Sequence, residues 1–412
     1  MRQTQRRLQI VTVGAVAVVW IAFWVVIAVE SRMSPDTTVQ LVLFSTLIWA
    51  AAALLVLKHW LSGTAWQMST VDAPGRLLAL VVTALPERRR EWGMAMLAEL
   101  AEVQGRPARW RFALSSVRAA LLLPPADGWP VIGLVTGAVV AATLAAGPVV
   151  GGVMPEMGLF AAGFVGVFGV LGLVTLARSS RIGIRLWTVL PALVGIGAVG
   201  AAVATTVIFL RRDPSADVHF SAISAAILAA VLASCLWIAV TSPEPTRGNR
   251  FAPLLGAGGG LAVGAVFVVL NQAAYNVRFP EASREAFGLL AVLWMIFAPA
   301  VALFTVATAA GFAGRSFGSG LQAGAWAFAV GTPLMYGLFL LQSLHMYAIN
   351  GGLLLFGDGA PEAENLSAAS SFCLVLAVIF GTPFAVFGAA AGSELRRGAR
   401  PPTHARHSLG AQ

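Results

Sequence analysis

Lysine is all but missing from this chain: of its 27 basic residues only Lys58 is not arginine. Charge of either sign is scarce, at 11%, against 58% hydrophobic residues and a mean hydropathy of +0.82. That balance excludes an ordinary water-soluble globular domain. The two cysteines, Cys235 and Cys373, each sit inside an apolar run, where a thiol behaves as a small hydrophobe. A disulfide framework or a cysteine-built metal site is therefore not expected. HExxH, GxSxG and P-loop strings are all absent, and Gly331-Thr332-Pro333 reads as a helix-breaking tripeptide. His59, His219, His345, His404 and His407 are scattered over loops and tail, so no metal and no cofactor is expected. The arginine bias, with 43 glycines and abundant alanine, points to a GC-rich bacterial genome.

What is present in quantity is apolar sequence of membrane-spanning length. Runs at 8–29, 38–57, 130–153, 159–177, 186–210, 221–241, 253–270, 287–309, 323–343 and 370–392 each approach the ~20 residues that cross a hydrocarbon core. The first follows MRQTQRR but is long for a signal-peptide core and has no small-residue cleavage site, so it reads as an uncleaved span. The expectation is an all-α polytopic integral membrane protein of about ten transmembrane helices with one cytoplasmic amphipathic helical hairpin. It divides into a two-helix membrane hairpin (1–58), a cytoplasmic module (59–128), an eight-helix membrane domain (129–393) and a basic disordered tail (394–412).

Charge placement orients this layout. With the N-terminus inside, only Arg32, Arg211, Arg212, Arg278 and Arg284 fall on the outer side, which places both termini in the cytoplasm of a bacterial inner membrane. The net charge of +9 is then an orientation signal and a match for the anionic inner leaflet, with no need for nucleic acid. No ionisable residue falls near the middle of a span, which argues against proton relays and ion-coupling sites.

The longest charged stretch is LPERRREWGMAMLAELAEVQGRPARWRFALSSVRAALLL, residues 85–123. Pro86 suits a first helical turn, and Gly105 and Pro107 end the helix that follows. At about 100° per residue, Trp92, Met96, Leu97, Leu100 and Val103 share one arc opposite Glu87, Arg88, Glu91, Glu99 and Glu102. The second helix, 107–123, carries a stripe of Trp110, Leu114, Val117 and Leu121 beside Arg111, Ser115 and Arg118. The two stripes can bury each other, leaving Glu91, Glu102, Arg111 and Arg118 as candidate partner-docking residues. RLLALVVTAL ahead of the pair can lie in the membrane interface or join the module. Residues 85–121, through Trp92, Glu99, Arg109, Trp110 and Phe112, resemble a short helical segment that recurs in uncharacterised bacterial multi-pass membrane proteins. That segment is similar to the prefix modules found ahead of permease-like domains. The resemblance implies the architecture and a docking role, and it brings no catalytic residue.

Within the spans, Gly256, Gly260 and Gly264 recur every fourth position, Gly133 and Gly137 do so once, and Gly163, Gly166, Gly169 and Gly172 follow a three-residue rhythm. Such spacing favours close helix packing, with a homodimer as the sharper alternative. Pro299, Pro333 and Pro383 interrupt three successive spans at similar depth, and IFAPAVALF at 296–304 echoes IFGTPFAVF at 379–387. These breaks, with Thr332 and Thr382 beside them, form a candidate cavity for a neutral solute; the plain alternative is kinking in a packed bundle. Outside the membrane, Asp358, Glu362 and Glu364 read as a solvated acidic turn, since their spacing fits no calcium loop.

Two functions follow. One is a non-enzymatic regulatory or transport-associated subunit whose module docks a soluble cytoplasmic protein. The other is a stand-alone permease for a small neutral or amphipathic solute, using the proline-broken helices.

Overall fold

The computed structural model describes residues 43, 45–56, 72–84, 87–122, 128–178, 186–212, 220–241, 251–276, 281–350 and 381–398. Among these residues every regular element is helical. The helices are α1 (Ser45–Val56), α2 (Ala73–Ala84), α3 (Glu87–Glu102), α4 (Arg106–Leu122), α5 (Gly128–Gly151) and α6 (Pro155–Arg178). They continue as α7 (Leu186–Arg212), α8 (Ala222–Val240), α9 (Ala252–Asn276), α10 (Glu281–Gly314), α11 (Phe317–Asn350) and α12 (Thr382–Gly398).

Six of these are long and apolar enough to cross a membrane, over Gly133–Gly151, Pro155–Thr175, Val189–Arg212, Ala222–Val240, Ala252–Val269 and Phe317–His345. The chain thus has the character of a helical polytopic membrane protein. These six match six of the ten expected runs. Of the rest, 8–29 lies outside the described residues, 38–57 is seen as α1, 287–309 lies within α10, and 370–392 is described only from 381 onward. Helix ends depart from the hydropathy ends. α9 continues to Asn276 and α11 to Asn350, because no breaker follows the last apolar residue. For the same reason α12 runs on through Glu394-Leu395-Arg396-Arg397 to Gly398, into what hydropathy alone assigns to a disordered tail.

Turn chemistry sets several boundaries. The Ser221 hydroxyl accepts the Ser224 N–H at 3.1 Å and caps α8, and Ser316 accepts the Ser319 N–H at 3.1 Å and caps α11. Between α10 and α11 the chain turns through Arg315 at φ 53°, a left-handed position more usually held by glycine. Ser316 N–H reaches the Gly311 carbonyl at 3.2 Å there, and Arg315 N–H the Phe312 carbonyl at 3.4 Å.

The described helices fall into two compact units. The first contains α2–α4 together with the first part of α5 and the last part of α6. Its module holds three helices rather than the expected two, because α2 packs on both α3 and α4. Leu78 and Val82 of α2, Leu100 of α3 and Ala113 of α4 form the buried centre, covered by Trp92, Met96, Leu97, Phe112 and Val117. The α3 stripe lies where its periodicity puts it. The α4 stripe is turned by about one residue: Ala113 and Ser116 are buried while Leu114 is 55% exposed. Small residues on that face let Leu78 and Val82 approach, so α2 and not the bulk of Leu114 decides the orientation.

The second unit contains α1, α7–α12 and the adjoining parts of α5 and α6. Within it α11 is the hub, packing on α7, α8, α9, α10 and α12, and 72% of its apolar segment is buried. Contact depends on small residues. A Cβ added to Gly256 would lie 2.4 Å from the Ala323 carbonyl, and one on Gly260 2.7 Å from Val330 Cβ, so this glycine face is spent on α11. On α12, a Cβ at Gly388 would come within 2.2 Å of the Phe304 carbonyl, and one at Gly392 within 2.2 Å of the Thr308 carbonyl. The pairs Gly163–Ala229 and Gly166–Thr143 also touch, whereas nothing among the described residues lies within 4 Å of a Cβ on Gly133 or Gly137.

Register along these contacts fixes helix sense. Gly195, Thr206 and Gly337 place α7 beside α11 in the same direction, with Gly195 near Trp326 and Thr205 near Gly337. Gly256, Gly260 and Gly264 climb α9 as Trp326, Val330 and Leu334 climb α11, so α9 is parallel to it too. α10 and α12 run parallel to each other and opposite to α11, since Gly320 meets Ala389 and Gly324 meets Ala385.

Candidate functional site

In the module, one arginine ties three helices together. Asp72 precedes α2 and accepts the Gly75 N–H at 3.2 Å, a helix cap made from the string Asp-Ala-Pro-Gly. Arg109, on the first turn of α4, holds the same carboxylate with two prongs, Nε to Oδ2 at 2.7 Å and Nη2 to Oδ1 at 2.9 Å. Its remaining nitrogen, Nη1, donates to the Leu100 carbonyl at 2.6 Å and the Val103 carbonyl at 3.0 Å, which α3 would otherwise leave unpaired at its end. The Arg109 hydrogen bonds hold Asp72 below the ordinary carboxylate range, helped by Gly75 N–H, and Asp72 in turn raises the guanidinium. Gly105, at φ +84°, makes the tight turn that brings Arg109 back over α3.

The four expected docking residues all face outward on this frame: Glu91 and Glu102 on α3, Arg111 and Arg118 on α4 are exposed. Each pair shares its helix face with an exposed apolar side chain. Met94, 60% exposed, shares the outer arc of α3 with Glu91 and Glu102 at helical spacing. Leu114 stands likewise between Arg111 and Arg118 on α4.

The proline and threonine positions are tightly enclosed. Pro299, Pro333 and Pro383 are buried, Thr332 is 3% exposed, and Thr382 is half-buried. Pro299 and Pro333 lie inside continuous helices, and Pro383 lies in α12 close to where the described residues resume at Gly381. Leu303, one turn beyond Pro299, meets Gly381 beside Thr382 and Pro383, so the α10 and α12 positions are neighbours. Gly331, preceding Thr332, packs instead on Gly260 and Val263 of α9. Hydroxyls elsewhere in the spans mostly bond within their own helix, as Thr175 does to Leu171 and Ser343 to Phe339, each at 2.8 Å. Thr206 does so and also meets the Tyr336 hydroxyl at 3.0 Å, a buried link between α7 and α11.

A crevice of about 440 Å³ opens elsewhere, where α7, α9 and α11 end together. Ile208, Val268, Leu338, Leu341 and Leu344 form its apolar wall. Arg212, Gln342 and His345 supply its polar groups, and the Gln342 Nε2 is shielded from solvent with no partner among the described residues. A donor buried unpaired costs about 1–3 kcal/mol.

No family model, curated protein or solved structure matches this chain.

Sequence reading thus found the charged faces but missed both the Asp72–Arg109 joint and the crevice. The cap was signalled by Asp ahead of Ala-Pro-Gly, while its partner stands 37 residues away with no local trace. The crevice gathers three helices, and its residues carry no shared motif. Cys235 is a buried free thiol, as its apolar run suggested; Cys373, the acidic turn at Asp358, Glu362 and Glu364, and four of the five histidines lie outside the described residues. Among the described residues no three metal-ligating side chains gather.

Proposed function

We propose that this is a non-enzymatic regulatory or transport-associated subunit of a bacterial inner membrane, with about ten spans and both termini cytoplasmic, whose three-helix module docks a soluble protein. The observation that carries the reading is the pair of outward faces on a locked frame, Glu91–Met94–Glu102 on α3 and Arg111–Leu114–Arg118 on α4. An exposed apolar side chain sharing a face with charged ones is the composition of a specific, electrostatically registered contact. The distribution of arginine supports the orientation, and the resemblance of residues 85–121 to permease-prefix modules supports the docking role.

The test is gentle purification of the full chain at native expression, as wild type, as Glu91→Arg with Glu102→Arg, and as Arg111→Glu with Arg118→Glu. A soluble protein recovered in stoichiometric amount with the wild type should fall at least about tenfold with either pair, since reversed charges meet their like across the contact. A wild-type chain that purifies alone, or variants that keep the partner, would overturn the reading.

Thr332 favours the second reading, a permease for a small neutral or amphipathic solute, because it is a polar residue buried beside Pro333 inside α11. Under docking, Thr332→Val and Thr382→Val leave partner recovery and growth unchanged. Under transport they abolish uptake while the module variants do not.

A further inference from the structure

The crevice at the shared end of α7, α9 and α11 has a polar rim and an apolar depth. Arg212 closes the apolar segment of α7 and His345 closes that of α11, so the rim stands where those two spans leave the hydrocarbon. Gln342 lies three residues before His345, about 4.5 Å deeper along the helix, and Leu338 about 10 Å deeper. Ile208 stands one turn below Arg212 on the neighbouring wall. Polarity therefore changes along the crevice in the same direction as it changes along a lipid.

We propose that this crevice holds one anionic phospholipid, with its phosphate between Arg212 and His345 and one acyl chain against Leu338, Leu341 and Ile208. The inference rests on α7, α9 and α11 crossing a bilayer. Arg212 has no carboxylate partner among the described residues, and a guanidinium presents the paired donors that phosphate oxygens accept. Gln342 lies on the crevice wall below that rim, at the level of the ester carbonyls of a lipid whose phosphate is held above. The volume, about 440 Å³, is within the ~300–1,000 Å³ of small-molecule sites. Free phosphate would use the rim and leave the wall uncovered; a neutral lipid would use the wall and leave Arg212 unmatched.

The experiment uses the full chain in nanodiscs of phosphatidylglycerol mixed with phosphatidylcholine, released into mild detergent and weighed by native mass spectrometry. Wild type should retain one phosphatidylglycerol in preference to phosphatidylcholine, and Arg212→Gln should lower that retention roughly tenfold. Gln342→Leu should lower it less. Arg315→Asn, which removes the same charge at the opposite end of α11, should leave it unchanged, and added inorganic phosphate should not displace the lipid. If Arg212→Gln fails to purify, Arg212→Lys, which keeps the charge but loses the fork, is read in the same way. Equal retention of both lipids, an undiminished Arg212 variant, an equal fall with Arg315→Asn, or displacement by phosphate would each overturn the proposal.

Discussion

Arg109 shows how one side chain can set the shape of a small module. Four of its five donors are divided between a carboxylate that caps α2 and carbonyls that end α3, so the three helices are joined at a point rather than only along a greasy seam. Because Arg109 favours the charged form of Asp72 in the folded state, its contribution has a definite pH sense. It is complete above the ordinary aspartate value of about 3.9 and is lost as pH falls through the lower folded value. Asp72→Asn keeps a capping oxygen but removes the charge, so its module should already be loosened at neutral pH and its stability should no longer decline as pH falls below the ordinary aspartate value. Asp72→Ala loses the cap as well, a further cost of about 0.5–2 kcal/mol. Protease cleavage within residues 72–122 of the full chain, followed across pH in wild type and both variants, reads this directly. A wild-type profile as flat as that of Asp72→Asn would remove the pair from the account of the module.

At the scale of helices, glycines of similar spacing do opposite things. Gly388 and Gly392 put bare backbone against the carbonyls of α10, and an added methyl there meets atoms that do not yield. Gly388→Ala should therefore destabilise the bundle by about 1–3 kcal/mol. Gly137→Ala meets nothing among the described residues and should be neutral or stabilising by up to about 1 kcal/mol through better helix propensity. Thermal unfolding in one detergent compares the two, and equal effects would remove the distinction. Much of this level was legible beforehand. Six apolar runs declared six helices, and the period of Gly256, Gly260 and Gly264 declared a close contact. The partner of each face was not legible, because small residues say that something comes near without saying what. The equally tight use of Gly388 and Gly392 went unread, hidden among alanines at 389–391. Helix ends were misjudged wherever polar residues of good helical propensity carried a span beyond its apolar stretch, as in α12. Bulk is a poor guide to the buried face of α4, where the small Ala113 and Ser116 admit α2 and Leu114 stays exposed.

For the molecule as a whole, the alternation of helix sense is the strongest regularity. α7, α9 and α11 run one way and α10 and α12 the other, the pattern of a chain that passes back and forth across a sheet of lipid. Combined with the arginine distribution, this predicts that reporters fused after Gln412 and within the module at Ser115 are both active on the cytoplasmic side, and that a cysteine at His345 labels from the outside. A C-terminal fusion active only outside would reverse the orientation, and with it the side from which any soluble partner approaches.

Hub position also has a consequence for how the protein is made. Every neighbour of α11 from α7 to α10 leaves the ribosome before it does, and the glycine face of α9 enters the bilayer with nothing yet to cover it. Through the synthesis of some forty further residues, the nascent bundle lacks its central helix. Quality-control proteases and insertion chaperones of the membrane thus meet a half-made chain whose open notch is lined by Gly256, Gly260 and Gly264, and the arrival of α11 is the event that closes it.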